Sequence, residues 1–197
     1  YEVDSLCYPI QLAYLFWKAT GRTGHFTYDF HAALHNIVNL WIREQDHMNR
    51  SPYSFERSNC PASDTLPCEG KGNPVAYTGM TWSGFRPSDD ACKYGYLVPS
   101  NMFAWVVLGY VQEIAEEIYH NSVLCEMAAK LQKDIKQGIE NYAIVEHPEY
   151  GKVYAYEVDG LGNVNLMDDA NVPSLLSIPY LGYCQADDPI YQNTRRM

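Results

Sequence analysis

The sequence predicts an all-α fold of paired helices, about three helical hairpins, with one small β-hairpin added. Three observations carry this. Apolar residues recur at three- and four-residue spacing over most of the chain. Each pair couples an apolar helix to a more polar one. Long or structured connections precede the apolar member, whereas short connections lie within the pair. Inner helices, outer helices and functional loops at one end of a ring would produce that layout, and three pairs make half of a six-hairpin ring. No self-similarity at fixed period points to a helical solenoid instead.

The first helix runs through Leu6, Ile10, Ala13, Tyr14 and Trp17 and stops at Thr20-Gly21. The second covers Phe26 to Met48, with Phe30, Leu34, Ile37, Val38 and Trp41 on its apolar face, and Asn49 to Pro52 closes it. A long irregular segment, Ser51 to Pro99, follows. Such a length inside a compact domain implies function or disorder, and its Tyr77, Trp82, Phe85 and Cys92 argue against disorder. Ser100 is expected to cap a helix over Met102 to Tyr119 that is apolar nearly all round and therefore buried. Ser122 to about Tyr142 reads as an amphipathic helix with Lys130, Lys133, Asp134 and Lys136 outward. Gly151–Asp159 and Asn163–Met167 alternate around Gly160-Leu-Gly162, the pattern of a hairpin. Asn171 to Leu181 is expected to be a further apolar helix, and Pro189 begins another.

A chain of 197 residues is long enough for one sizeable core, and residues 1–197 read as a single domain. The formal charge of −10 argues against nucleic acid, because phosphate binding needs clustered Lys and Arg and only Arg195-Arg196 adjoin. No window approaches the roughly 20 apolar residues of a membrane span. No membrane partner is expected. No secretory leader is visible at Tyr1-Glu-Val-Asp, which leaves the compartment open. Both ends read as cut from a longer chain. Seventeen tyrosines and four tryptophans suit amphipathic ligands such as carbohydrate, although most will be packing mass. The six cysteines include no C-x-x-C pair; Cys60 and Cys68 share a Pro-rich loop and could bridge in an oxidising compartment. His31 and His35 sit four apart, but no acidic residue completes a ligand set, so no metal and no cofactor is expected.

The densest chemistry lies in Tyr77-Thr-Gly-Met-Thr-Trp-Ser-Gly-Phe-Arg-Pro-Ser-Asp-Asp-Ala-Cys92. Trp82 offers a ring for stacking, Arg86 a fork for oxygens, and Asp89 and Asp90 carboxyls for proton transfer. Gly79, Gly84 and Pro87 exclude a regular element there. Two other acidic clusters, Tyr1–Ser5 and Leu166–Asn171, also precede apolar helices. A ring would bring all three clusters to one rim and form a glycosidase-like cleft. Helix capping is the simpler reading of Ser5 and Asp168 taken singly.

The 77–91 block, with Tyr94-Gly-Tyr-Leu-Val-Pro-Ser-Asn-Met-Phe103, Tyr1-Glu-Val-Asp-Ser-Leu-Cys-Tyr-Pro9 and Met167-Asp-Asp-Ala-Asn-Val-Pro-Ser-Leu-Leu-Ser-Ile-Pro-Tyr180, resembles glycoside hydrolase family 125 through essentially the whole chain. The resemblance implies an (α/α)6 barrel and a metal-independent, inverting exo-α-1,6-mannosidase acting on mannose-containing oligosaccharides or N-glycans. It implies that one of Asp89 and Asp90 is the general acid, without deciding which. It makes Arg86 a hydroxyl or carboxylate partner and, together with the rim geometry, Asp4, Asp169 and Asn171 candidates for the terminal mannose pocket. Family members are longer, with a Trp-Leu-Arg-Asp segment upstream and the general-base glutamate downstream. Neither is in this sequence, so it reads as the central part of the catalytic domain, inactive alone. The competing expectation is a non-catalytic carbohydrate-binding or scaffolding helical module.

Overall fold

A computed structural model describes residues 1–197. Four long helices form its frame: α1 (Asp4–Thr20), α2 (Tyr28–Glu44), α5 (Val98–Glu117) and α6 (Ser122–Gly138). Single turns α3 (His47–Arg50) and α4 (Pro67–Gly70) lie in the intervening segment, and α7 (Pro189–Arg196) comes last. The apolar spacing of α1 buries Cys7, Ile10, Ala13 and Trp17 along one face, and left-handed Gly21 ends it by donating to the Trp17 carbonyl. Thr27 caps α2 through the Phe30 N–H, and Asn121 caps α6 through that of Leu124. α5 is buried on most sides, lying between α1 and α6, while α2 leans on α6. α1 and α5 are thus the inner members of two hairpins, and α2 and α6 the outer members. No helix is long and apolar enough to cross a membrane.

Several expectations need correction. Ser100 does not cap α5. The helix starts at Val98 with Pro99 in its first turn, where a missing N–H costs nothing, and the Ser100 hydroxyl turns to Asp4 instead. Ser5 does not cap α1; its hydroxyl donates to the Glu2 carboxylate at 2.5 Å. The predicted helix over Asn171–Leu181 is a 3-10 turn, Leu175–Ser177, followed by further turns. Pro173 and Pro179 bracket too short a run for a helix, and Asp168 holds the turn by accepting the Leu175 and Leu176 N–H groups at 2.8 and 3.0 Å. The third hairpin is therefore this turn packed on α7, which Asp188 caps.

Strands β1 (Tyr96–Leu97), β4 (Glu157–Val158) and β5 (Val164–Asn165) make an antiparallel sheet in the order β1-β4-β5. The hairpin across Gly160–Gly162 is present as β4–β5. Gly151–Tyr154 (β3) pairs instead with β2 (Ile144–His147), so there are two small sheets where the sequence suggested one.

The irregular segment before β1 is largely interior. Met80 through Phe85 are all buried. Asn101, inside α5, brackets Thr81 by accepting its N–H at 2.8 Å and donating to its carbonyl at 3.0 Å. Trp82 N–H reaches the Glu44 carbonyl, and Gly84 N–H that of Tyr1. Gly79 has φ +93°, and a Cβ there would lie 2.6 Å from the Asp134 carbonyl oxygen, so the segment can lie against α6 only with glycine at this position. Every backbone group of a buried loop needs a partner, and these bonds supply several of them.

Candidate active site

Residues Arg86–Asp90 form a loop tied back on itself. Phe85 and Ala91 pair as a bridge, Arg86 N–H donates to the Asp90 carbonyl at 2.8 Å, and Asp89 N–H to the Arg86 carbonyl at 2.9 Å. Asp89 sits at φ 65°, a left-handed conformation that Asp tolerates better than most residues. The loop supplies Ser88, Asp89 and Asp90 to the wall of a cavity of about 530 Å³, opposite Tyr1, Glu2, Tyr53 and Asp64. That volume and mixed lining suit a sugar-sized ligand.

The loop is anchored from behind. Arg86 Nε donates to Glu157 Oε1 at 2.7 Å, with Glu157 fully buried and the Arg86 side chain 13% exposed. Glu157 Oε2 also accepts from Asn165 Nδ2 at 3.1 Å and the Tyr94 N–H at 3.4 Å. The Arg86 guanidinium carbon lies 5.8 Å from the Tyr156 ring centroid. Burial disfavours the Arg86 charge, but the Glu157 bond and charge outweigh it and raise its pKa.

Asp169 and Asn171 are bonded to each other and lie within the field of Arg86. Burial alone would raise the Asp169 pKa; the Asn171 N–H at 3.0 Å and the Arg86 charge help to overcome it and leave it below the ordinary carboxylate value. Asn171 Nδ2 donates to the same oxygen at 3.2 Å. Asp169 thus feels the Arg86 charge from a distant part of the sequence, but Arg86, Asp169 and Asn171 lie off the cavity wall, and Ser88 Oγ makes no hydrogen bond.

Asp4 and Trp82 lie elsewhere than expected. Asp4 is buried behind Glu2, off the cavity wall, with Ser100 Oγ donating to its Oδ1 at 3.2 Å. Burial, reinforced by the Glu2 charge, pushes its carboxyl up to about 6. Trp82 is only 1% exposed, and the His47 ring stacks on it at 3.6 Å and 9°. The indole is a framework group and offers no open face to a sugar. Its place in an irregular, Gly-rich stretch suggested exposure, but the backbone bonds to Glu44 and Gly95 around it draw the segment inward.

No three His, Cys, Asp or Glu side chains gather as a metal-holding group. The Nε2 atoms of His31 and His35 both accept from Asn121 Nδ2 at 3.0 Å. All six cysteines are free, so the Cys60–Cys68 bridge is not formed. Glu157 and Tyr156 are not among the site residues the sequence suggests, whereas Glu2, in the first acidic cluster, does line the cavity. The only trace of Glu157 in the sequence is a carboxylate inside the otherwise apolar run Val153–Val158, which burial makes expensive without a partner.

Residues 1–197 match the family described as metal-independent α-mannosidase, GH125. The chain belongs to that family. A solved Streptococcus pneumoniae structure, of a metal-independent α-mannosidase in a non-productive substrate complex with α-1,6-mannobiose, superimposes with a TM-score of 0.97 at 57% identity, covering 100% of this chain and 46% of that one. The meiotically up-regulated gene 157 protein of Schizosaccharomyces pombe is 40% identical over 206 residues, spanning 100% of this chain and 40% of its own length. The GH125 chain described here thus spans less than half of either relative. Its helical hairpins are the half-barrel expected of an (α/α)6 fold.

Proposed function

We propose that this GH125 chain carries the proton-donating part of an exo-α-1,6-mannosidase site, metal-independent and inverting. One of Asp89 and Asp90 protonates the glycosidic oxygen. Arg86, Asp169 and Asn171 hold hydroxyls of the terminal mannose of an oligosaccharide or N-glycan. The observation that carries the reading is the pinned loop that presents both carboxyls to a sugar-sized cavity. The α-1,6 linkage is taken from the mannobiose held by the pneumococcal relative. An inverting mechanism needs a second carboxylate about 6.5–9.5 Å from the acid, with a water between them. In this reading a glutamate outside residues 1–197 supplies it, and residues 1–197 alone are inactive.

The test is to assay the intact protein with Asp89→Asn and Asp90→Asn separately. The acid variant should lose about 10²–10⁴-fold on α-1,6-mannobiose and far less on an aryl mannoside whose leaving group needs no proton. Equal losses on both substrates from both variants would remove the acid assignment. NMR of the first product should show β-mannose, and activity should survive a chelator; α-mannose first would refute inversion. Binding of mannobiose without turnover would leave a carbohydrate-binding module instead. Turnover by residues 1–197 alone would refute an external base.

A further inference from the structure

We infer that Glu157 is a positioning residue for the acid-bearing loop, acting through Arg86; the inference rests on the mannosidase reading above. Its surroundings lead there. Glu157 lies in the middle strand of the small sheet, paired with Leu97 on one side and Asn165 on the other, so its backbone is fixed from both edges. Its side chain is fully buried. One carboxylate oxygen takes Arg86 Nε, and the other takes Asn165 Nδ2 and the Tyr94 N–H, which lie on opposite sides of it in the sequence. Arg86 is in turn bound through its own backbone to Asp89 and Asp90.

A chain of short bonds therefore runs from a rigid strand to the two carboxyls at the cavity. Because Glu157 engages the inner nitrogen, Arg86 Nη1 and Nη2 make no hydrogen bond within the chain, and Asp169 is near enough to feel the guanidinium charge. A buried carboxylate holding a guanidinium by Nε fixes the direction of the fork, and such a pair is costly to bury for stability alone. Catalytic geometry tolerates little looseness in the parts behind it.

Glu157→Gln keeps shape and an oxygen acceptor but loses the charge. In the intact protein, hydrogen–deuterium exchange of the 85–91 amides should quicken at least about tenfold, with α5 amides unchanged. For α-1,6-mannobiose, kcat should fall roughly 10–100-fold with KM changing less than about threefold, and the loss should be smaller on an aryl mannoside. Faster exchange throughout the molecule, or equal losses on both substrates, would reduce Glu157 to a folding residue and overturn the inference. Unchanged exchange and kcat would overturn it too. Should Glu157→Gln fail to fold, Asn165→Ala frees the opposite oxygen at a half-buried position, and it should move the same amides in the same direction by a smaller factor; no movement there refutes the anchor. If the wild-type protein lacks mannosidase activity, the functional reading fails, while the exchange result still decides whether Glu157 orders the loop.

Discussion

Two buried carboxylates, Glu44 and Glu157, divide the molecule into a closed region and an open one. Glu44 accepts from His47 Nδ1 at 2.6 Å and Ser51 Oγ at 2.7 Å, while His47 Nε2 faces the Lys71 carbonyl at 2.9 Å and its ring lies on Trp82. Both imidazole nitrogens are used and one ring face is covered. Glu157 holds Arg86 at a similar distance, and Arg86 keeps two unused nitrogens and is bonded through its backbone to the loop at the cavity. Both carboxylates are buried, and unpartnered donors lie near each, Arg43 Nε and Trp82 Nε1 near the first and the Arg86 Nη atoms near the second; only the second is tied by backbone bonds to the loop at the cavity. A buried ion pair by itself is weak grounds for stability or function, and the link to the cavity loop separates architecture from site.

The comparison can be broken most forcefully at Glu44. Glu44→Ala should destabilise the intact protein by about 3–5 kcal/mol, since it strips a buried partner from His47 and Ser51. The molecules that remain folded should bind mannobiose normally, as judged by urea melts beside calorimetric titration. Lost binding in well-folded protein would join the two regions.

Asp4 sharpens the contrast as a buried carboxylate whose only side-chain donor is a hydroxyl. Its pKa of about 6 exceeds the unfolded value near 4, so folding favours the protonated form. The stabilisation is complete below about pH 4 and is lost as pH rises through about 6. Against Asp4→Asn, the wild type should therefore lose on the order of 2–3 kcal/mol between pH 4 and pH 7 in denaturant melts. Parallel curves for the two proteins would mean that Asp4 is not isolated in this way.

The smallest effect belongs to Gly95. A Cβ there would sit 2.2 Å from Trp82 Cδ1 and Nε1, and the indole is held by His47, so Gly95→Ala should cost about 1–3 kcal/mol. Thermal unfolding measures it. A neutral result would mean that Trp82 can move, which would reopen it as a ligand-facing ring.

The sequence by itself determined the four long helices, because Ile10/Ala13/Trp17 or Leu34/Val38/Trp41 mark a buried stripe that no neighbour need specify. It also marked the acidic loop, whose Gly, Pro and Asp residues are local turn chemistry. Only the tertiary structure decided the partners of those parts. Trp82 went inside because bonds from Glu44 and Gly95 drew its segment there, residues 171–181 stayed a turn because Asp168 and two prolines held it, and Glu157 gained meaning from Arg86, 71 residues away. Periodicity and turn propensity act over a few residues and are written in sequence. The direction of a buried charge depends on which distant segment arrives to meet it, and that is settled only when the chain packs.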